Sequence, residues 1–346
     1  MKPGNPRLRS KRVACAAPGL RRNALKGLAA TGLSLLVAVW PATAERVEDW
    51  PSRPVRLIVP YAPGGTTDIV ARRYAEFLRT RVGQPVVVEN RGGAATNIGT
   101  EAVARSAPDG YTLLLGSTSL ASNPTHGPAI PGFDPSTALA PIGMITAIPY
   151  LVAANPRFPA KTAQEMIALA RRNPGKHTIA SAQLDFQIAL LTHRSGISLE
   201  HVGYRGGAPA MTDAIAGQVD MVYALVPVLL PAVRAGRLIA LGVPAAERSP
   251  VLPDVMTFRE TGQSAAVSES WYAIFAPAGT PRPIIDRLAA DTHAFTKDAE
   301  VAARLIEMGV EPRGSTPEEL GRMLRDLTEA YRVLVRELGT KAPTSR

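Results

Sequence analysis

The residues of greatest chemical interest in this 346-residue chain form the turn VPYAPGGTTD at positions 59–68. The adjacent glycines Gly64 and Gly65 allow a ligand to approach the backbone closely. The turn lacks a P-loop lysine and matches neither G-x-G-x-x-G nor G-x-S-x-G, so neither a phosphate loop nor a nucleophile elbow is indicated. A helix that begins here would offer N–H groups and its positive dipole end to an anion such as a carboxylate. A plain strand-to-helix connection without a ligand fits the spacing equally well.

Similar turns, rich in glycine and small polar residues, recur along the chain at 90–97 (NRGGAATN), 116–124 (GSTSLASNP) and 204–209 (YRGGAP). If the strands before them are parallel, the turns of each sheet meet at one edge. Taken singly, each is compatible with an ordinary turn. Their accumulation indicates a binding edge more strongly than any one of them.

Metal and cysteine chemistry find little support in the sequence. The five histidines include no H-x-x-x-H or H-E-x-x-H pair, which argues against a zinc site. The only cysteine is Cys15, so the chain after residue 44 offers no disulfide and no thiolate. A serine, a histidine and an aspartate could be assembled from distant positions in any chain of this length, so their presence is uninformative. We expect no metal and no cofactor.

The first 44 residues have the pattern of an export signal. They contain eight basic residues and no acidic one, then an apolar stretch from about 27 to 40, then Ala42-Thr43-Ala44. The apolar stretch is short for a membrane span, although an uncleaved N-terminal anchor is an alternative. The segment RRNALK (21–26) is similar to a twin-arginine motif with Ala24 in place of the usual aromatic residue, which leaves both the Tat and the Sec route open. The signal predicts a periplasmic protein.

The basic character of the chain belongs mostly to this leader. The formal net charge is +10, and without the leader 31 basic and 29 acidic residues remain, a net charge of +2. This balance gives no reason to expect nucleic acid as a partner, because nucleic-acid binding needs a clustered basic face. The remaining chain is long enough for two domains.

The hydrophobic pattern predicts α/β architecture in two lobes, the second inserted in the first. Lobe 1 is expected at 45–147 and 270–346 and lobe 2 at 148–269, with apolar runs near 145–153 and 270–276 crossing between them. Strand and helix patterns alternate in each lobe, which favours parallel sheets with right-handed crossovers. Three amphipathic helices end the chain at about 281–296, 298–308 and 316–338. Thr66 or Thr67 is expected to cap the first helix, and Ser315 the last.

Four segments carry a family resemblance: WPSRPVRLIVPYAPGGTTDIVAR, QPVVVENRGGAATNIGTEAVARSAPDGYTLLLGS, APAMTDAIAGQVDM and SWYAIFAPAGTP. They resemble the Bug-type extracytoplasmic solute receptors, the binding proteins of tripartite tricarboxylate transporters, and the likeness covers nearly all of the chain after the leader. The resemblance implies a periplasmic binding protein of the second type, with two parallel-sheet α/β lobes, a hinge and a cleft between them. It implies a non-enzymatic monomer that binds a small carboxylate in the cleft, with membrane transporter subunits as partners. The first turn would hold the carboxylate through backbone N–H groups and ordered water.

One departure from the family pattern concerns the second lobe. The family's second glycine- and serine-rich turn corresponds to SAQLDFQ (181–187), which is shorter, lacks glycine and contains Asp185. We expect Asp185 either to face the cleft as an unpaired carboxylate that disfavours dianionic ligands, or to cap the following helix. In the first case the ligand would be a monocarboxylate, a zwitterion or a molecule with a cationic or hydrogen-donating end.

The expected ligand-binding residues come from both lobes. Asp68 is expected to order its turn more than to contact the ligand. The full set is Tyr61, Gly64, Gly65, Thr66 and Asp68 from the first turn, Ser117 and Thr118 after the third strand, and Gln183, Asp185, Tyr204 and Tyr223 from the second lobe.

The sequence therefore predicts an exported protein that captures a small carboxylate-containing molecule for a tripartite tricarboxylate-type transporter. The alternatives are a periplasmic α/β hydrolase and a ligand receptor for a sensor kinase without transport.

We predict that the leader is removed after Ala44, because Ala42 and Ala44 satisfy the small-residue rule for signal cleavage. N-terminal sequencing of protein from the periplasmic fraction should give a chain that begins at Glu45. A start well before Glu45, or retention in the membrane fraction, would contradict the prediction.

Overall fold

The computed structural model describes residues 50–127, 132–182, 184–204, 206–263 and 268–338. The predicted leader and its cleavage site lie outside this part of the chain. Among the described residues, no helix combines the length and the hydropathy needed to span a membrane.

Strands and helices alternate along the chain as the hydrophobic pattern indicated. The part before the long central strand contains β1 (Val55–Val59), α1 (Thr66–Val82), β2 (Val86–Asn90), α2 (Asn97–Ala104), β3 (Thr112–Ser117), α3 (Ser119–His126) and α4 (Pro135–Ala138). The middle part contains β4 (Leu139–Ala154), α5 (Ala163–Arg172), β5 (Thr178–Ala182), α6 (Asp185–Ser195), β6 (Glu200–Tyr204), α7 (Gly207–Ala216), β7 (Met221–Leu225), α8 (Val226–Arg234) and β8 (Ile239–Gly242). The last part contains β9 (Glu269–Pro277), α9 (Arg282–Lys297), α10 (Ala299–Glu307), β10 (Glu311–Pro312) and α11 (Pro317–Leu338).

The described strands pair in the order β2-β1-β3-β9-β4-β7-β5-β6, with β8 and β10 pairing with β4 beside this path. The outer strands on each side are parallel: β2, β1 and β3 on one, and β7, β5 and β6 on the other. The two central strands, β9 and β4, are antiparallel to each other. The parallel groups follow from the βαβ connections that the sequence predicted.

The 16-residue strand β4 belongs to both sides of this arrangement. Its residues from Leu139 to Pro149 pair with β9, and those from Tyr150 to Ala154 pair with β7. Separate groups of buried apolar residues lie around its two ends, one containing Leu57 and Ile145 and another containing Val152 and Ile179. The division into two lobes near 147 and 270 stays a prediction, and this pairing supports it.

Two predicted helix caps are wrong, and the neighbouring residue takes the position in each case. The N-cap of α1 is Gly65, so Thr66 and Thr67 lie inside the first turn and cap nothing. At α11, Oγ1 of Thr316 accepts a hydrogen bond from the backbone N–H of Glu319 at 3.1 Å, and a carboxylate oxygen of Glu319 accepts from the N–H of Thr316 at 2.8 Å. This reciprocal pair is a capping box. The hydroxyl of Ser315 instead accepts a hydrogen bond from the N–H of Met144 at 3.0 Å.

We predict that Thr316→Ala lowers the free energy of unfolding by about 1 kcal/mol, because it removes the capping hydroxyl of α11. Thr328→Ala is the matched control, since its hydroxyl bonds to the Leu324 carbonyl of the same helix and alanine favours the helix interior. Urea denaturation of both variants measures the difference. Equal losses in the two variants would contradict the role of Thr316 as cap.

Candidate functional site

The strand register brings the carboxyl ends of the two parallel groups toward each other. Ser117, at the end of β3, pairs with Tyr272 of β9, which pairs with Thr146 of β4. On the other side, Leu225 at the end of β7 pairs with Tyr150 of β4. Strand β3 runs in the direction of β4 because both are antiparallel to β9, whereas β7 runs against β4. The strand-to-helix turns therefore face one another across the five residues from Thr146 to Tyr150, whose four steps span roughly 13 Å, a distance that suits a small molecule.

The turn between β1 and α1 presents bare backbone at this place. Gly64 has a φ of 86°, in the left-handed region that favours glycine, whereas Gly65 has a φ of −82°. A Cβ atom added at either position would meet no atom within 4 Å. The space in front of both glycines is therefore open, and the N-cap residue of α1 is a glycine, which has no side chain to cover the first N–H groups of that helix. Thr66 is the first residue of α1.

Asp68 holds this turn in place through three hydrogen bonds. Its carboxylate accepts from the backbone N–H of Gly64 at 3.0 Å, from Nε of Arg72 at 3.0 Å and from the side-chain amide of Asn90 at 3.1 Å. Burial by itself would raise the pKa of Asp68, but these hydrogen bonds outweigh it and hold the pKa below its ordinary value. The side chain is 6% exposed, and all three donors lie between the end of β1 and the end of β2, in predicted lobe 1. This geometry agrees with the expectation that Asp68 orders the turn.

A chain of hydroxyl groups connects three of the predicted turns. The hydroxyl of Tyr61 lies 2.6 Å from Oγ of Ser117, and Oγ of Ser117 lies 2.9 Å from Oγ of Ser119. Thr96, in the turn after β2, donates its hydroxyl to Ser119 at 2.9 Å. Burial raises the pKa of Tyr61, so its phenol is neutral over the physiological range. The expected grouping of these turns at one sheet edge is thus observed, and Thr96 and Ser119 are members that the sequence analysis did not single out.

The turn after β2 has a backbone conformation that is rare for its residue types. Ala94, Ala95 and Thr96 have φ angles of 46°, 51° and 81°, all in the left-handed region. Such conformations persist only where surrounding contacts hold them. Here the side-chain amide of Asn123 donates to the carbonyl of Ala95 at 2.6 Å and to Oδ1 of Asn97 at 2.9 Å.

Buried tyrosines lie where the central strands cross between the two sides. The rings of Tyr150 and Tyr223 are 5.2 Å apart between centroids. Burial raises the pKa of Tyr150 to about 12, although hydrogen bonding with Ser270 and Thr118 works in the opposite direction. The hydroxyl of Tyr223 lies 3.3 Å from Oγ of Ser268. These phenols are neutral, so they offer hydrogen bonds to a ligand without adding charge.

Tyr272 completes this group, and its hydroxyl accepts a hydrogen bond from Thr67 at 2.7 Å. Sequence reasoning named Tyr223 but missed Tyr150 and Tyr272. Both stand in apolar runs that were predicted as crossing strands, where a tyrosine has no pattern that distinguishes it from core. The only signal in the sequence that could have identified them was their position on strands predicted to cross between the lobes.

The expectation of an unpaired Asp185 is wrong. Oδ1 of Asp185 lies 3.2 Å from Nδ1 of His201 on β6. Asp185 begins α6, whose N-cap, Leu184, makes no side-chain capping bond. Gln183, also predicted in the site, lies outside the described residues.

Tyr204 is directed toward α7. It donates its hydroxyl to a carboxylate oxygen of Asp213 at 2.6 Å, and this hydrogen bond, with burial, raises the pKa of Tyr204 to about 12. The structure thus links Tyr61, Ser117 and Thr118 to the space between the strand ends and holds the Tyr204 hydroxyl on α7. The ligand-binding roles of all the named residues stay predictions.

Two further observations concern catalysis and metals. Nε2 of His201 lies 2.8 Å from Oγ of Ser181, so Ser181, His201 and Asp185 are hydrogen-bonded in the same order as the residues of a hydrolase triad. Ser181, the penultimate residue of β5, is fully buried, which leaves no room for a substrate carbonyl at its hydroxyl. In the part of the chain that the structure describes, no group of three or more His, Cys, Asp or Glu residues is placed to hold a metal ion.

The chain is similar to known proteins over most of its length. The model of the tripartite tricarboxylate transporter family receptor matches residues 70–340. BugT of Bordetella pertussis is 34% identical over 322 residues, covering 90% of this chain and 98% of BugT. An R. palustris protein solved with adipate is 30% identical, with a TM-score of 0.76, 84% of this chain and 99% of that one being covered. MatC from Rhodopseudomonas palustris with bound malate is 29% identical, with a TM-score of 0.70 and coverage of 82% and 99%.

We predict that Asp68→Asn lowers the free energy of unfolding at pH 7 by about 2 kcal/mol, because an amide cannot accept from all three donors around it. The pKa of Asp68 is lowered in the folded state. Its contribution is therefore fully present above the unfolded pKa of about 3.9 and is lost as the pH falls through the folded value. The difference between wild type and variant should shrink on acidification below pH 4.

Urea denaturation at a series of pH values measures this effect. Glu76→Gln is the matched control, since Glu76 is a carboxylate of the same helix that pairs with Arg79 at the surface, and no measurable change is expected there. A difference for Asp68→Asn that stays constant from pH 7 to pH 3 would contradict the assignment.

Proposed function

We propose that this chain, which belongs to the tripartite tricarboxylate transporter receptor family, captures a small organic acid in the periplasm and delivers it to the membrane subunits of such a transporter. The family assignment made from the sequence motifs is confirmed by the family match and by BugT. The periplasmic binding protein fold is confirmed by the likeness to the solved periplasmic binding protein BugD, which is 33% identical with a TM-score of 0.73. The periplasmic location, the absence of enzymatic activity and a monomeric state are parts of the proposal.

The observation that carries the proposal is the open glycine turn at the meeting point of the strand ends. Nothing lies within 4 Å of the position of a Cβ at Gly64 or Gly65, and the first N–H groups of α1 follow directly. Backbone N–H groups at a helix N-terminus bind carboxylates well, because the dipole favours negative charge. The neutral hydroxyls of Tyr61, Ser117 and Tyr150 lie near this turn and suit the remaining polar groups of an organic acid.

The two solved relatives named above contain adipate and malate, both dicarboxylates. We therefore propose a small dicarboxylate as the ligand class, in place of the sequence-based preference for ligands that are not dianionic. The pairing of Asp185 with His201 removes the reason for that preference.

The hydrolase alternative has one observation in its favour, the alignment of Ser181, His201 and Asp185. The complete burial of Ser181 argues against it, because a nucleophile must reach the substrate carbon. Turnover of ester and phosphate substrates would support the alternative. A receptor for a sensor kinase would use the same cleft, and the neighbouring genes distinguish it from a transport receptor.

We predict that native mass spectrometry of the purified protein detects a small organic acid, and that Gly65→Val abolishes most of its binding. The branched side chain would occupy the open space in front of the turn. Loss of one or two charge-assisted hydrogen bonds costs roughly 1.5–3 kcal/mol each, so the affinity should fall at least tenfold. Gly65→Ala, which adds a single methyl group, should lose less.

Calorimetry with the identified acid gives the affinities, and a thermal melt provides the control. Since φ at Gly65 is −82° and the space beside it is open, both variants should stay folded, with only a small drop in melting temperature because alanine and valine are poorer N-cap residues than glycine. Unchanged affinity in a folded Gly65→Val protein would remove this turn from the site. Absence of any bound acid, with no binding across a panel of small carboxylates, would overturn the proposed function.

A further inference from the structure

The second lobe contains a hydrogen-bonded row of three side chains, Ser181, His201 and Asp185. Oγ of Ser181 lies 2.8 Å from Nε2 of His201, and Nδ1 of His201 lies 3.2 Å from Oδ1 of Asp185. The row connects β5, β6 and the first residue of α6. Both ring nitrogens of His201 therefore have a partner.

The strand register explains why the row forms. Ser181 pairs with Gly203 and Ile179 pairs with His201, so Ser181 and His201 are diagonal neighbours on one face of the sheet. Helix α6 covers that face, because its Ile188 packs in the same buried cluster as Ile179. The first side chain of α6 is thus brought above His201.

The row is fixed at one end and open at the other. Ser181 is fully buried, so a swing of the imidazole would leave a buried hydroxyl without its partner, which is costly. The side chains of His201 and Asp185 are 22% and 27% exposed. Asp185 directly follows the turn at the carboxyl end of β5, the edge that faces the first-lobe turns across β4.

We infer that His201 is a positioning residue for ligand charge: it holds the carboxylate of Asp185 against β6 and so allows the site to accept a second ligand carboxylate. Without His201 the carboxylate is free to turn toward the cleft, where it repels a ligand anion. The role requires a hydrogen on Nδ1 that can be donated to Asp185. The neutral tautomer with hydrogen on Nδ1 and the imidazolium both meet this requirement. The inference rests on the proposed function, and it concerns the charge of the ligand end that faces the second lobe.

The test compares each dicarboxylate with its own monoamide, which has nearly the same shape and one charge less. The probes are adipate with adipamate and malate with its monoamide, and calorimetry gives the four affinities. For His201→Ala we expect the ratio of diacid to monoamide affinity to fall at least tenfold. In the double variant His201→Ala/Asp185→Asn the ratio should return to within about threefold of the wild-type value, because the free carboxylate is gone.

The chain offers a matched control on the same strands. Nδ1 of His177 lies 3.5 Å from a carboxylate oxygen of Asp220, and these residues precede β5 and β7, at the edge away from the cleft. His177→Ala breaks a histidine–aspartate pair of the same kind. It should lower the melting temperature and leave the ratio of diacid to monoamide affinity unchanged. A thermal melt of each variant identifies losses that come from unfolding.

The possible results separate the inference from the proposed function. An unchanged ratio in folded His201→Ala, or no recovery in the double variant, overturns the inference. Wild-type protein that binds neither adipate nor malate also overturns it, and the mass-spectrometric search for a bound acid then decides whether the proposed function stands. A lowered ratio that the Asp185→Asn change restores, with His177→Ala without effect, supports the inference.

Discussion

The antiparallel pairing of one strand with two partners determines the geometry of this molecule. Strand β4 pairs along most of its length with β9 and along its last five residues, Tyr150–Ala154, with β7. Strands β3 and β4 are both antiparallel to β9, so β3 runs in the direction of β4, whereas β7 runs against it. The parallel strands on either side of β4 therefore run toward each other and stop a few residues apart. Every turn that could touch a ligand therefore depends on the register of β4, even though few of its own side chains carry obvious chemistry. The position of the site is set by the directions of the paired strands, and the residue types in the turns then determine what it can bind.

The polar groups around the strand ends are mainly hydroxyls that satisfy one another. Tyr61, Ser117, Ser119 and Thr96 form one series. Tyr150 on β4 lies close to Ser270, and Tyr223 on β7 lies close to Ser268. A buried hydroxyl without a partner is costly, whereas a hydroxyl with a partner can exchange it for a ligand oxygen at little net cost. Such a lining tolerates both an occupied and an unoccupied cleft. The acids near the site, Asp68 and Asp185, are each bound by donors from their own lobe.

The sequence predicted the elements well because their hydrophobic periods are clear, and the family motifs identified the fold. It failed where the outcome depends on pairs that are distant in sequence or on a choice between neighbours. The contact of Asp185 with His201 requires the register of β5 and β6, which no local pattern reveals. Both Ser315 and Thr316 have a glutamate three residues later, so the capping-box pattern fits either. Pro317, which favours the first helical position, decides for Thr316. Tyr150 could not be predicted as a site residue, because a tyrosine in an apolar strand cannot be distinguished by sequence from a residue of the hydrophobic core.

The left-handed turn at Ala94–Thr96 affects what each side of the cleft contributes to ligand recognition. Holding three non-glycine residues at positive φ costs about 1–2 kcal/mol each, a sizeable share of the roughly 5–15 kcal/mol that keeps an ordinary domain folded. Asn123 and the hydroxyl series hold this segment in its strained conformation. We expect such a segment to keep one shape when a ligand binds. We therefore expect the first-lobe side of the cleft to set the size and orientation of the ligand. We expect tolerance between one acid and another to come from the opposite side of the cleft, where several residues of β6 are partly exposed.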